Sequence, residues 1–528
     1  MLKVSNSLPI ANYSQVVISD NSGATFKPKT NSRIRINLPS TLGMVDFHSS
    51  HIKFDLKVVP HAGFGTTNNT FMVGFGNRQG ATQVVRDLMI RVDGKPLETI
   101  TNYNILDKVR KDFANDLTKN NIESVFSHGT LATENPSNFV QTWDTTSGTY
   151  AYNNVAQKQQ ISLDLSGMLS LKTGFPIVAS GDVEIEIILE DSENVLEQKQ
   201  SLEGVACADI NAGADGSLPA IIITDIAGAN TGYGLTTSPF AIGNIVKIVG
   251  LQGGVAFTRY LKIGGNTTTI VATVSVALGA VATTFDDNGV LTELVMTPIF
   301  NVADPANATT APVAKTTEEW SYEVSNVEYV VRSIEMPPPY LNALQKRIQG
   351  EGLVMDCPTY TMYLANLNEN VGRQSLLVPC YSSRVKGIVS VPIASNQTNY
   401  EYDRQGKIDG CANFQAKIGS RVEPQRPVDL TNWTGDTTHQ YHSQEYIQEL
   451  TKTLVATGIG ERSLVNWRDN FIFPRSLSAM GGSEDLSEKA FRWEVQYLTN
   501  VVEPKNVYNF VNMVRRIQIV PTGVMIFG

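Results

Sequence analysis

Few side chains in this sequence stand at spacings that could support chemistry, and the clearest set is two histidines followed by a carboxylate. His439, His442 and Glu445 fall at i, i+3 and i+6, so on a helix they would lie roughly on one face. Imidazole and carboxylate groups are common ligands of divalent metals. The surrounding "GDTTHQYHSQEY" is also typical of a solvated loop that enters a helix, and we interpret it in that way. We expect no bound metal and no cofactor.

Motifs for other common reactions are missing from the sequence. It has no G-x-S-x-G elbow and no G-x-x-x-x-G-K-[ST] phosphate loop, and "GFGNRQG" does not match the dinucleotide fingerprint. Asp182, Glu184 and Glu186 alternate along a predicted strand, which indicates a solvated outer face. Acid pairs for glycoside cleavage are defined by their separation in space, which a sequence does not give. We therefore expect no catalytic residue and a structural protein rather than an enzyme.

The cysteines and the net charge narrow the class of protein further. The four cysteines, Cys207, Cys357, Cys380 and Cys411, form no C-x-x-C pair, so we interpret them as free buried thiols in a reducing compartment. The formal net charge is −9, and no run of five or more Lys or Arg residues occurs. Because a nucleic-acid footprint is strongly basic, we expect no direct nucleic-acid binding.

Neither a signal peptide nor a membrane span is expected. The first residues, "MLKVSNSLPIANYSQ", lack the apolar core of a secretory signal. The longest apolar stretch, "TTTIVATVSVALGAVATTF", contains Thr and Ser throughout, and its β-branched residues alternate with other residues. This pattern indicates strands rather than a transmembrane helix.

Most of the elements predicted from the sequence are strands, in which apolar residues recur with a period of two. In "SRIRINLP" Ile34, Ile36 and Leu38 share one face, and "SSHIKFDLKVVP" and "GDVEIEIILED" alternate in the same way. Such segments predict half-buried antiparallel strands. Asp93-Gly94 separates two of the predicted strands and indicates a tight hairpin. The chain is therefore predicted to be all-β.

Two short helices interrupt this pattern. Ile105, Val109 and Phe113 fall at i, i+4 and i+8, which predicts a helix with one apolar stripe lying on a sheet, with Asn102 or Asn104 as its N-cap. A second helix is predicted from an apolar stripe near the end of the chain. Its members are Tyr446, Ile447, Leu450 and Leu454.

The 528 residues exceed what one hydrophobic core usually organises, and composition shifts divide the chain. Residues 1–30 are polar and weakly patterned, which indicates an N-terminal arm. Residues 31–203 form a first β unit that 317–335 completes, and 204–316, poor in charge and rich in Gly and Thr, form an inserted β domain. The run Pro337-Pro338-Pro339 marks a linker into a second β unit, 336–528.

The order of these pieces resembles the double jelly-roll major capsid proteins of icosahedral DNA viruses, in the form found in polinton-like viruses and virophages. The resemblance covers most of 25–203 and 317–528, and each motif is degenerate, so its weight lies in order and spacing. It is carried by "VVRDLMIRVDGKPLETITNYNIL", "SLDLSGMLS" followed by "DVEIEIILEDSENVL" as late first-roll strands, "YEVSNVEYVVRSIEMPPPYLNAL" and "VYNFVNMVRRIQIVPTGVMIFG". It implies two consecutive eight-stranded jelly rolls with a few short helices.

The same resemblance implies a function and partners. Homotrimers would form pseudo-hexameric capsomers that tile an icosahedral shell in the virion, assembled inside the host cell with penton and minor capsid proteins. The insertion at 204–316 departs from a minimal family member. It would form either an outer tower, which we favour, or a surface packed around the three-fold axis, and a host surface receptor is a further candidate partner.

Two other functions stay open from the sequence. One is a carbohydrate-binding or carbohydrate-active multi-domain β-sandwich protein, for which "NWTGDTTHQY" is the one stretch with an aromatic residue near an acid in the expected style. The other is a vertex or spike protein of a virion. Vertex proteins more often have a single jelly roll, and the two similar β units argue against that reading.

Overall fold

The structure is a computed structural model, and it describes about two thirds of the chain. The described residues are 12–19, 25–59, 71–75, 80–113, 141–144, 149–152, 156–200, 205–211, 220–223, 245–252, 254–262, 265–266, 271–273, 291–299, 321–395, 406, 410–430, 443–460, 471–497 and 504–527. Over these ranges, no helix has the length and the apolar character needed to cross a membrane.

Strands dominate the described chain. In chain order they are β1 (Asn12–Ser19), β2 (Arg33–Leu38), β3 (Met44–Val59), β4 (Phe71–Phe75), β5 (Val85–Val92), β6 (Lys95–Ile100), β7 (Gln141–Asp144), β8 (Thr149–Tyr152), β9 (Gln157–Ile161), β10 (Phe175–Pro176), β11 (Val183–Leu189), β12 (Leu196–Gln200), β13 (Val205–Asn211), β14 (Ala220–Ile223), β15 (Ile245–Gln252), β16 (Val255–Lys262), β17 (Gly265–Asn266), β18 (Val271–Thr273), β19 (Leu291–Ile299), β20 (Ser321–Glu335), β21 (Leu353–Leu367), β22 (Arg373–Val378), β23 (Val385–Ala394), β24 (Cys411–Ile418), β25 (Arg421–Asp429), β26 (Phe473–Ser476), β27 (Phe491–Tyr497), β28 (Lys505–Val520) and β29 (Gly523–Phe527). The α-helices are α1 (Tyr103–Phe113), α2 (Ile177–Ser180), α3 (Pro338–Gly350) and α4 (Gln444–Thr457), and short 3-10 turns lie at Ser40–Leu42, Gly80–Val84 and Ser192–Asn194.

Two sandwiches contain most of these strands. In the first, a sheet of order β1-β20-β3-β10, with β9 also on β3, faces a sheet of order β2-β11-β5-β6. In the second, β21-β28-β23-β26, with β29 also on β28, faces β22-β27-β24-β25. All the pairings are antiparallel.

The two sandwiches share one topology. Numbered along the chain, the eight main strands of each pair in the order 1-8-3-6 in one sheet and 2-7-4-5 in the other. This order is that of an eight-stranded jelly roll, in which two interleaved Greek keys close a double sheet. The predicted fold, all-β with two consecutive jelly rolls, is confirmed.

The prediction of a free arm over residues 1–30 is wrong where it includes β1. Asn12–Ser19 pairs along its whole length with β20 and is the first strand of the first roll. Phe26, also within the predicted arm, is buried and bridges Val324. An edge strand has a neighbour on one side alone and tolerates polar residues, so its sequence carries a weak alternation. Residues 1–11 lie outside the described residues.

The insertion enters the first roll between its seventh and eighth strands. The chain leaves β11, forms β12 beside β4, and then builds a separate sheet before it returns as β20. That sheet has the order β16-β15-β19-β13-β14-β18-β17. The pair β7–β8 forms a further two-stranded ribbon.

Alternating burial explains why the first roll forms from these segments. Ile185 on β11 lies opposite Ile36 on β2 and Ile90 on β5, and all three side chains are fully buried. Such cross-strand contacts fix the register, because a shift by one residue would turn the apolar face to water. The predicted turn at Asp93-Gly94 has φ of 52° and 72°, the positive pair that a tight hairpin requires.

Helices α1 and α4 occupy equivalent places, each between the fifth and sixth strands of its roll. Ser443 caps α4, its Oγ accepting from the Tyr446 N–H at 3.2 Å, and Gly458 ends it in the left-handed region at φ 76°. On the predicted stripe, Tyr446, Leu450 and Leu454 are buried and Ile447 is half-buried. Each roll therefore has a helix between its fifth and sixth strands.

Helix α1 differs from its prediction in one respect. Ile105, Val109 and Phe113 are buried, as the stripe requires, but the polar side of the helix is buried too. Of its eleven residues, Arg110 alone is not classed as buried. The Asn104 side chain accepts from the Ile105 N–H at 2.9 Å and donates to Glu190 Oε2 at 2.9 Å, so it ties the helix start to the end of β11.

The predicted linker at Pro337-Pro338-Pro339 opens a helix. Helix α3 begins at Pro338, with Pro337 as its N-cap. Proline is tolerated in the first turn because the N–H groups there have no intrahelical partner, and its fixed φ suits the helix. The helix nevertheless connects the last strand of the first roll, β20, to the first strand of the second, β21.

Candidate functional site

The sequence-predicted candidates for chemistry are not brought together in the described residues. His439 and His442 lie outside them, as does "NWTGDTTHQY", and Glu445 is exposed on the first turn of α4. In the ranges that the structure covers, no three His, Cys, Asp or Glu residues are grouped as metal ligands would be. Cys357, Cys380 and Cys411 are free and buried, and burial raises the pKa of each thiol.

The acidic face predicted on β11 is only partly solvated, which corrects the sequence reading. Glu186 is 2% exposed, because arginines from the neighbouring strands cover it. Arg91 Nη1 lies 2.8 Å from Glu186 Oε2 and 3.0 Å from Glu184 Oε1, and Arg33 lies 3.5 Å from Glu186. The face is an ion-pair ladder across three strands, which the strand pattern alone does not indicate.

A second buried ionic cluster surrounds Asp107 on α1. Its carboxylate lies 2.7 Å from Arg110 Nη2 and 3.1 Å from Lys111 Nζ, and it accepts from Thr82 Oγ1 at 2.6 Å. Burial by itself raises the pKa of Asp107, but Lys111 and Arg110 outweigh it and hold the pKa below its usual value. The ion pairs and the Thr82 hydrogen bond fix α1 on the first roll.

The junction of the two rolls is centred on Glu98. This residue of β6 is 1% exposed, and its carboxylate accepts from Ser166 Oγ and from the backbone N–H of Gly167, at 3.0 Å, and of Met168, at 3.4 Å. Burial raises the pKa of Glu98, against the lowering effect of these donors and of Thr359 on β21. The carboxyl therefore ties β6 to the turn at residues 166–168, and Cys357 and Thr359 of β21 lie close to it.

Backbone contacts extend this junction on both sides of Glu98. Lys95 Nζ donates to the Val524 carbonyl at 2.7 Å, and Arg515 Nη1 donates to the Leu97 carbonyl at 2.5 Å. Both cross from one roll to the other. Side chains that satisfy buried carbonyl groups are specific in direction, so the rolls are held in one orientation.

The turn that holds Glu98 was misread from the sequence. "SLDLSGMLS", residues 162–170, was expected to form late first-roll strands, but it forms consecutive turns. Its N–H groups point at Glu98 instead of at a neighbouring strand. A β-carbon built on Gly167 would lie 2.0 Å from the Pro358 carbonyl oxygen, so the two backbones approach as closely as glycine alone permits.

An apolar groove lies beside α3, next to the junction. Its main part has a volume of about 450 Å³ and is lined by Tyr13, Ser14, Leu42, Gly43, Met44, Pro176, Val178, Ser333, Ile334, Glu335, Met336, Leu341, Leu344 and Gln345. A second part of about 380 Å³ shares Met44 and Leu344 with it and continues to Arg347 and Asp356. We call both parts the α3 groove. Tyr13 and Val178 at its rim are each more than 60% exposed.

These features define a class of protein by fold: a double jelly roll whose described polar clusters are structural. No family model matches the sequence, and no curated protein matches it. The structure is similar to the Faustovirus major capsid protein, with 12% identity, 98% of this chain and 92% of that chain covered, and a TM-score of 0.49. It is also similar to the PBCV-1 virus capsid (6% identity, 98% and 96% covered, TM-score 0.48) and to the Sputnik virophage structure (9%, 98% and 89%, TM-score 0.47).

Sequence reasoning missed Glu98 for a physical reason. Along β6 the side chains of Leu97 and Glu98 are both buried, although neighbours on a strand point to opposite faces. The outer face of β6 is dry because the second roll covers it, and that contact joins residues about 260 positions apart. The one available signal was Glu98 itself, a lone carboxylate between Leu97 and Thr99 in "KPLETI".

Replacing Glu98 by Gln should change how stability depends on pH. Because its pKa is raised above the ordinary 4.5, folding favours the protonated acid, and the resulting stability is present below pH 4.5 and is lost as the pH rises through the raised pKa. We expect urea unfolding to show the wild type losing stability relative to Glu98→Gln as the pH rises above 4.5. Parallel curves for the two proteins from pH 4 to 8 would contradict this account.

Replacing Gly167 by Ala should separate the rolls or strain them severely. The new methyl group would meet the Pro358 carbonyl, a backbone atom that cannot move alone, and we expect a loss of about 3 kcal/mol or more in the free energy of unfolding. The matched control is Gly350→Ala on α3, where a β-carbon meets nothing within 4 Å. We expect the control to be neutral or slightly stabilising. Equal thermal midpoints for the two variants would show that the close approach is not required.

Proposed function

We propose that the protein is a major capsid protein, a structural component of an icosahedral virion. One observation supports this most: a single chain contains two jelly rolls of identical strand order, joined by a buried junction. A chain built in this way holds two similar jelly rolls in a fixed orientation to each other. The described polar clusters around Asp107, Glu186 and Glu98 are occupied by structural contacts, which favours a building block over an enzyme.

Three-fold symmetry explains how a chain with two similar rolls could build a shell. Three copies around a three-fold axis place six similar rolls in a ring, so a homotrimer has an outline close to a hexagon. Closed cyclic contacts satisfy the inner surfaces, and the six outer edges can then meet neighbours in similar ways. We infer that homotrimeric, pseudo-hexameric capsomers tile the shell and that penton and minor capsid proteins complete it.

The mass of the pure protein in solution tests the capsomer. We expect light scattering to give a particle near three times the chain's 57.7 kDa, and electron images of it to show hexagonal outlines. Dilution should leave the mass unchanged, because a trimer with closed contacts buries a large area in each copy. A monomer at high concentration would contradict the proposal and would favour the carbohydrate-binding alternative, for which glycan binding is the next measurement.

The insertion is proposed to form a tower on the outer surface, where a host surface receptor would be a fitting partner. Its strands pair with one another in a sheet separate from those of the rolls, so the first roll does not use them to complete its sheets. Replacing residues 204–316 by a short Gly-Ser linker should therefore leave a trimer of lower mass. If the insertion packs around the three-fold axis instead, the same change will yield monomers that still unfold cooperatively.

A further inference from the structure

The α3 groove has the chemistry of a site for an extended apolar segment. Leu341 and Leu344 of α3 line it together with Leu42, Met336 and Val178, and Ile348 is the one buried residue of the helix. Large apolar side chains at its rim remain exposed, which is unfavourable unless another segment covers them. Among the described lining residues of its main part, the one charged side chain is Glu335.

Residues 1–11 precede β1, and the start of β1 lies at this groove. Asn12, the first described residue, pairs with Glu335, and Tyr13 and Ser14 line the groove. Residues 1–11 are therefore attached at its edge. At roughly 3.3 Å per extended residue, the chain can reach no more than about 15 Å from Asn12 to Leu8.

The composition of this segment suits the groove. Leu8 and Ile10 lie two residues apart, so in an extended chain both side chains point the same way, and Pro9 between them favours that conformation. Lys3 is the one charged side chain in residues 1–11, and its sign is opposite to that of Glu335. The segment thus matches the groove both in its apolar side chains and in the sign of its charge.

We propose that residues 1–11 of the same chain dock in the α3 groove, with Leu8 and Ile10 against Leu341 and Leu344. A tether of two to four residues gives the segment an effective concentration in the millimolar range or above, so weak contacts suffice for occupancy. The docked segment would lie across the connection between the rolls and extend the junction to the outer side of α3. This inference does not depend on the proposed function.

A disulfide trap in the full chain tests the proposal. The variant Leu8→Cys with Leu344→Cys places one thiol in the segment and one in the groove. The control, Leu8→Cys with Asn342→Cys, has nearly the same tether but puts the second thiol on the exposed face of α3. Single Leu8→Cys measures the background from the native thiols, three of which are buried. Disulfides are counted by peptide mapping after mild oxidation.

We expect the groove pair to form an intrachain disulfide at least about tenfold faster than the control pair, since the bond requires a close and defined approach of the two β-carbons. Adding Leu341→Asp to the groove pair should remove that advantage. Equal rates for the groove and control pairs would overturn the proposal. So would a bond found between chains alone, seen as a dimer on a non-reducing gel, because it would assign the groove to the segment of a second copy.

Discussion

The structure depends on one constraint, that the carboxyl of Glu98 is taken out of water at the junction of the rolls. A buried carboxylate is tolerated where donors surround it, and here they come from a turn of the first roll, with β21 of the second closing the site. This requirement explains why residues 162–170 are turns, and why Gly167 must lie against the Pro358 carbonyl. These contacts add directional links between two sandwiches whose buried apolar residues form one continuous cluster.

A fixed orientation is what a chain with two similar rolls needs if it is to act as one rigid unit. Hydrogen bonds from Lys95 and Arg515 to carbonyl groups of the opposite roll are directional, whereas an apolar contact of the same area would allow sliding. The ionic clusters around Asp107 and Glu186 have a related effect inside the first roll, since they fix α1 and the outer sheet face. In the described residues, these buried polar contacts fix the geometry of the first roll and of the junction.

What could be predicted from the sequence was local, and what could not was set by distant parts of the chain. Ile34 to Leu38, Asp93-Gly94 and the stripe of α4 are correct because alternation, turn chemistry and helical spacing act over a few residues. Glu98 and Glu186 were beyond reach, because the partners that bury them lie on other strands or in the other roll. β1 was missed since Val16, Val17 and Ile18 are consecutive and do not alternate with polar residues, and α3 was missed since its proline run was interpreted as a linker.

The pairing of β1 with β20 also sets an order of events during synthesis. Val16 lies opposite Val331, so the first strand of the first roll must wait until more than three hundred residues have been added before its partner exists. Strands of the insertion, by contrast, find partners within a much shorter stretch of chain. Pairings of such long range close slowly and leave apolar edges uncovered meanwhile. Until β20 is made, β1 and β3 both lack the strand that lies between them, so one sheet of the first roll stays incomplete during this period, when protection by a chaperone would matter most.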